Sequence, residues 1–161
     1  MNYMKNILKL MTVLGLFLCL FSCKEEVPVE PSLEVTPANI DGVWQLSEWD
    51  GQALGENTYC YVIFHRKDKT FEMYQKFDSM YARYITGTFS IEKDPYVGYV
   101  ISGVYDYENG DWNNEYVVTD LFKSGSMTWT VKDGEEVTKY VRCESVPEEI
   151  VNEAKISLEE E

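Results

Sequence analysis

Basic residues are scarce: 14 Lys and Arg stand against 28 Asp and Glu, a formal net charge of −14. A surface of that sign repels phosphate backbones and anionic headgroups, which argues against nucleic-acid binding and against membrane docking through a basic face. His65 is the only histidine, so no histidine cluster for a metal and no Ser-His-Asp spacing is legible. The four cysteines include no Cys-x-x-Cys pair, which removes the usual dithiol redox motif. Cys60 and His65, five apart on a strand, would project to opposite faces and make no local metal pair. The acidic stretch Tyr105–Glu115 places Gly110 out of step with the glycine of an EF-hand loop. No stretch of helical length with amphipathic spacing separates the apolar runs of the body, so a parallel βαβ architecture is disfavoured. There is no internal repeat, and 161 residues bound the chain to one domain with one modest core.

Long hydrophobic runs are also missing, with one exception. Ile7–Phe21 is nearly all apolar beside Lys5 and Lys9, about the length of a secretory h-region and short for a membrane-spanning helix. Residues 1–22 are therefore expected to be a signal peptide. Their removal takes Lys5 and Lys9 and no acid, leaving 12 − 28 = −16. Leu20-Phe21-Ser22-Cys23 resembles the lipobox of bacterial lipoproteins, which implies that Cys23 receives diacylglycerol and acyl chains of the palmitate kind. Lys24-Glu25-Glu26 then resembles the acidic export tag of surface lipoproteins in the Bacteroides group, implying an outer-membrane, lipid-anchored, cell-surface location. Residues 23–39 carry Pro28, Pro31 and Pro37 and read as the lipidated cysteine followed by an extended tether.

Residues 40–161 read as the folded domain. β-branched and aromatic residues recur in eight runs, separated by short turns rich in Gly, Asp, Asn and Lys: Val43–Trp49, Tyr59–His65, Thr70–Lys76, Tyr81–Ile91, Tyr96–Tyr107, Trp112–Leu121, Met127–Lys132 and Glu136–Cys143. Runs of that length and spacing predict antiparallel strands paired in chain order. Only the tail differs: Ser145 three residues before Glu148 offers a capping box, and Ile150, Val151 and Ala154 give the apolar stripe of a short terminal helix.

Gly42-Val43-Trp44, Thr119-Asp120 and Arg142 resemble, in order, the three separated motifs of lipocalins. Gly42-Val43-Trp44-Gln45-Leu46, Phe64 through Phe71, Gly87-Thr88-Phe89-Ser90-Ile91 and Tyr140-Val141-Arg142 are similar to the lipocalin-like lipoprotein domains of the Bacteroides group, a likeness over about residues 40 to 145. Two departures stand out: Asp68-Lys69-Thr70 replaces the usual Asp-Gly-Thr, and Leu121 replaces the aromatic residue that follows Thr-Asp in animal lipocalins. The resemblance implies an all-β fold, an eight-stranded up-and-down antiparallel barrel with a short C-terminal helix. Gly42, Trp44, Thr119, Asp120 and Arg142 are then the barrel-closing residues. In such a barrel, side chains alternate between the interior and solvent. Trp44 and Leu46, Val62 and Phe64, Phe71 and Met73, Ile85, Phe89 and Ile91, Met127, Trp129 and Val131, and Tyr140 with Arg142 should all point in. Arg142 is expected to lie on the indole of Trp44 and to donate to nearby carbonyls. The same parity sends Cys60 inward and Cys143 outward, against a disulfide.

Three functional classes survive: a carrier of a small neutral apolar ligand, as the resemblance implies; a surface module with a filled barrel that binds a protein or glycan; and, weakest, an enzyme. No catalytic residue, metal ligand or cofactor is expected, and Glu48 and Glu72 read as solvated or rim residues. Tyrosine and tryptophan offer apolar rings with polar tips, so Tyr61, Tyr74, Tyr84, Tyr99, Trp112 and Trp129 are the candidate ligand contacts. Strand propensity and sheet packing explain the same aromatic excess equally well. The interior volume separates carrier from filled module.

Overall fold

A computed structural model of the chain describes residues 30–77, 81–107 and 110–159. The expected signal peptide, Cys23 and Lys24-Glu25-Glu26 lie outside the described residues. Helix α1 (Pro37–Ile40) leads into β1 (Gly42–Trp49), β2 (Gln52–Ala53), β3 (Tyr59–His65), β4 (Thr70–Lys76), β5 (Arg83–Asp94), β6 (Gly98–Tyr105), β7 (Tyr116–Phe122), β8 (Ser126–Val131), β9 (Val137–Cys143) and helix α2 (Glu148–Glu159). Each strand from β3 onward pairs antiparallel with the next, and β1 pairs with both β3 and β9. Eight strands therefore close into a barrel. β2 is an extra arm, folded back on β1 through the two-residue turn Asp50-Gly51. The Asp-Gly dipeptide is a strong hairpin signal, yet the eight-run reading passes over it.

Strand alternation builds the interior as expected. Trp44, Leu46, Val62, Phe64, Phe71, Met73, Ile85, Phe89, Met127, Trp129 and Tyr140 are all buried in one cluster. Ile91 and Val131 are only half-buried. Phe64 meets Phe89 edge-on at 5.0 Å and Trp129 at 6.1 Å, so rings fill the middle of the barrel.

Two bulges break the alternation, and each changes what faces inward. In β1 the register with β9 shifts between Leu46 and Glu48. Strict alternation from Trp44 would aim Glu48 inside, but the extra residue turns Glu48 outward to Lys139, with Oε2 2.7 Å from Nζ, and sends Trp49 to the barrel mouth. In β7 the shift lies between Thr119 and Phe122, with Asp120 at φ 51°. This left-handed residue lets Val118 and Leu121, three apart, both be buried inside. An inserted residue re-aims the side chains that follow it.

One end of the barrel is plugged. The segment before β1 packs Leu33, Val35 and Ile40 against the core, and the Leu33 amide donates to the Leu121 carbonyl at 2.7 Å. Helix α2 lies instead on the outer wall, where Val146, Ile150, Val151 and Ala154 cover Tyr61, Tyr74 and Ala82. Its first amides bond the Pro147 carbonyl, so the helix starts from Pro147 and not from the capping box expected at Ser145. No helix among the described residues is long and apolar enough to cross a membrane.

Candidate functional site

The plugged end shows what the three separated motifs do. Trp44 is fully buried, and its Nε1 donates to the Ile40 carbonyl at 2.7 Å. The Arg142 guanidinium carbon sits 4.3 Å from the indole centroid, and its nitrogens donate to the carbonyls of Asp41 and Asn39. Arg142 itself is exposed, which corrects the inward, buried placement: it lies over the end of the barrel with one face on the indole and the other in water. That arrangement keeps the cation–π contact without the cost of desolvating a charge. Gly42 is required there twice over, by its φ of 109° and because a Cβ would come within 2.8 Å of Arg142 Nη1. Thr119 and Asp120 are exposed and form the β7 bulge, with Thr119 Oγ1 donating to Asp120 Oδ2 at 3.2 Å. They close the barrel indirectly, by burying Leu121 against the plug.

At the opposite end the interior opens into a cup of about 240 Å³. Leu46, Cys60 and Met73 form its floor, and Trp49, Phe77 and Glu136 stand at its mouth. One wall is a run of rings: Tyr105 and Trp112 at 6.4 Å between centroids, Trp112 and Trp129 at 6.0 Å, Tyr116 and Trp129 at 5.3 Å, and Trp129 and Tyr140 at 4.8 Å. Trp49 and Phe77 form a separate edge-on pair at 5.2 Å.

Trp112 reaches this wall from the connection before β7, not from a strand beginning at residue 112. Its amide donates to the Gly103 carbonyl at 2.9 Å, while Val104 and Asp111 make an isolated bridge. The indole lies so close to Gly103 that a Cβ there would be 2.4 Å from Trp112 Cε2. Glycine at 103 therefore makes the seat for the ring. Among the described residues Trp112 Nε1 is a buried donor with no hydrogen-bond partner.

Burial shifts the cup's titratable groups upward from their ordinary values. Burial pushes the Cys60 thiol and the Tyr105 hydroxyl each up to about 12. Tyr116 and Tyr140 are raised by burial as well, and Glu136 is raised by burial and then by the nearby Asp50 carboxylate. Among the described residues no Lys, Arg or His lines the cup.

Of the six aromatic residues expected to touch a ligand, the structure brings Trp112 and Trp129 to the cup. Tyr61, Tyr74 and Tyr84 lie on the outer wall and pack around α2, because the alternation that turns Val62, Met73 and Ile85 inward turns them out. Tyr99 packs toward the plugged end, with its hydroxyl donating to Glu34 Oε1 at 2.7 Å. The sequence reading missed Trp49, Phe77, Tyr105, Tyr116, Glu136 and Tyr140 as cup residues. Parity turns Tyr140 inward as expected, whereas the bulge and the connections that place the others leave no periodic signal. Cys60 belongs to the interior and Cys143 to the cluster under α2, and both are free thiols.

A second concavity, of about 670 Å³, lies outside on β3–β5. There Glu72 accepts from Tyr84 at 2.9 Å and bonds His65 Nε2 at 2.8 Å, while Thr86 donates to Asp106 at 2.7 Å. It is wide, shallow and open to water, with its polar groups already satisfying one another. Among the described residues no group of three His, Cys, Asp or Glu side chains could hold a metal ion.

Comparison with known proteins agrees with this architecture. The family model of the lipocalin-like domain matches residues 40–129, more than half of the chain, from the plug through the cup tryptophan of β8. No curated protein and no solved structure matched in the corresponding searches. The closed eight-stranded barrel with its plugged and open ends and the family match lead to one statement: this chain belongs to the lipocalin-like domain family.

Proposed function

We propose that the protein is a non-enzymatic carrier that holds one small, mainly apolar molecule without negative charge in the barrel cup. The observation that carries this reading is the cup itself: about 240 Å³, walled by aromatic rings and, among the described residues, lined by no cationic side chain. That volume falls below the roughly 300–1,000 Å³ typical of sites for drug-sized ligands, so long-chain lipids and large cofactors are poor fits. A net charge of −14 adds a field that disfavours anions at the mouth. We further propose that the carrier is anchored in the outer membrane through lipid on Cys23 and exposed at the cell surface, as the lipobox-like and acidic tag sequences imply.

One experiment addresses both parts. Expressed in a lipoprotein-processing host with an ordinary cleavable secretory signal in place of residues 1–22, the Cys23→Ala chain should move from the membrane to the soluble fraction, since little but acyl chains would hold it there. Persistent membrane association would overturn the anchor. The released protein should quench or shift a neutral environment-sensitive dye, while an anionic analogue binds more weakly at low salt and recovers as salt screens the repulsion. If no dye binds, the alternative holds instead: a surface module that recognises a protein or glycan through its loops.

A further inference from the structure

The carrier reading leaves the ligand's charge open between neutral and positive, and the cup's geometry narrows it. We infer that the cup is built for a small organic cation, an alkylated or aryl-substituted ammonium, whose charged head meets the faces of Trp112, Tyr116 and Trp129 while the Glu136 carboxylate stands at the mouth. This rests on the carrier reading and names its ligand class.

Three observations converge on it. First, the wall is continuous and faceted. The planes of Trp112 and Trp129 differ by 31°, those of Tyr116 and Trp129 by 39°, and those of Trp112 and Tyr116 by 68°. The three rings form one contiguous aromatic patch in the lining of the cup. Ring faces carry the negative side of the quadrupole, so a concave aromatic wall attracts a positive head that has shed its water.

Second, among the described residues the cup has negative charge available and no positive charge of its own. The open end does hold cations, but carboxylates outside the cup engage them: Lys76 with Glu153 at 2.5 Å, Lys132 with Glu115 at 2.7 Å and Lys139 with Glu48 at 2.7 Å. The β1 bulge matters here, because it removes Glu48 from the inward row and puts the Trp49 ring at the mouth. Among the described residues Glu136 is left as the acid that lines the cup.

Third, the backbone of Glu136 is held in place and, among the described residues, no cation pairs with its side chain. Its carbonyl accepts from the Val131 amide at 3.0 Å, and the next amide, Val137, donates to Asp50 Oδ1 at 2.9 Å. The β8–β9 turn is thus pinned against the β1–β2 turn. Burial first, and then repulsion from the Asp50 carboxylate, raise the Glu136 carboxyl. A bound cation would relieve that repulsion, whereas a neutral ligand of equal shape would leave it in place.

The test uses two probes of nearly the same shape, benzyltrimethylammonium and its uncharged carbon analogue neopentylbenzene, titrated into the soluble Cys23→Ala chain and followed by tryptophan fluorescence. The cation should bind about tenfold more tightly, with an affinity that falls as salt rises while that of the carbon analogue does not. Glu136→Gln should cost the cation about fivefold and leave the carbon analogue unchanged, which also shows that the variant is folded. Equal or tighter binding of neopentylbenzene overturns the inference and leaves the carrier reading standing. A preference for the cation that survives Glu136→Gln undiminished overturns the role of the carboxylate. If neither probe binds, the carrier reading fails with it.

Discussion

The two ends of the barrel follow opposite rules. At the plugged end Trp44 has its indole donor on Ile40, Arg142 has its donors on Asp41 and Asn39, and Leu33 is tied to Leu121. At the open end Trp112 keeps a buried donor with no partner among the described residues, and rings border empty space. An unpaired buried donor forfeits roughly 1–3 kcal/mol, and empty volume forfeits contacts that a filled core would make. The difference teaches that hydrogen bonds and close packing hold one pole together, while the other is an open cup lined by rings. The same contrast separates the two aromatic sets: Tyr61 and Tyr74 are covered by α2 and belong to the wall, whereas Trp112 and Trp129 face the cup.

The strongest way to sharpen that contrast is at the plug. Trp44→Ala should destabilise the protein by about 3–5 kcal/mol in urea unfolding, as for any large buried aromatic. Arg142→Ala should couple to it by about 0.5–3 kcal/mol in a double-mutant cycle. Strictly additive losses would mean that the stacked pair contributes nothing jointly.

A middle-sized effect is expected at the seat of the cup. Gly103→Ala puts a methyl group where Trp112 lies and should cost about 1–3 kcal/mol through overpacking. It should also weaken dye binding, which Trp44→Ala, in whatever fraction remains folded, should not. Full binding by a folded Gly103→Ala protein would remove Trp112 from the ligand wall.

The smallest effect at neutral pH lies in the thiols. Burial moves Cys60 from the ordinary 9.0 to about 12, while burial raises Cys143 less. Maleimide labelling with peptide mapping at pH 8 should therefore modify Cys143 well before Cys60, which should react only on unfolding. The sign for stability follows from linkage: between about 9 and 12 the unfolded chain has lost the Cys60 proton and the folded chain has kept it. Stability contributed by this group is thus complete below pH 9 and declines as pH rises through that window. Tyr105, Tyr116 and Tyr140 act with the same sign. A folded protein whose midpoint in urea does not fall above pH 9 would contradict the burial of these groups.

Much of the fold was legible because it rests on local periodicity. Val62 and Phe64, Phe71 and Met73, and Trp129 sit two apart or in register with such pairs, and burial follows a period of two wherever a strand is regular. The β3 and β4 boundaries match the apolar runs residue for residue. The site was less legible because it is made where regularity fails. Trp49 and Glu48 exchanged faces at a bulge; Trp112 came in from a connection; Glu136 stands just outside β9 in a turn. Choosing Tyr61, Tyr74 and Tyr84 by residue type set aside the parity that already placed them on the outer wall.

By itself the sequence determined that the chain is acidic, antiparallel and closed, because charge, alternation and the order Gly42-Val43-Trp44, Thr119-Asp120, Arg142 are properties of the chain read in one dimension. Only the tertiary structure decided which end is plugged, which aromatics face the cup and how large the cup is. Those depend on where two bulges fall and on which glycine leaves room for an indole, and such choices are settled by the packing of strands distant in sequence.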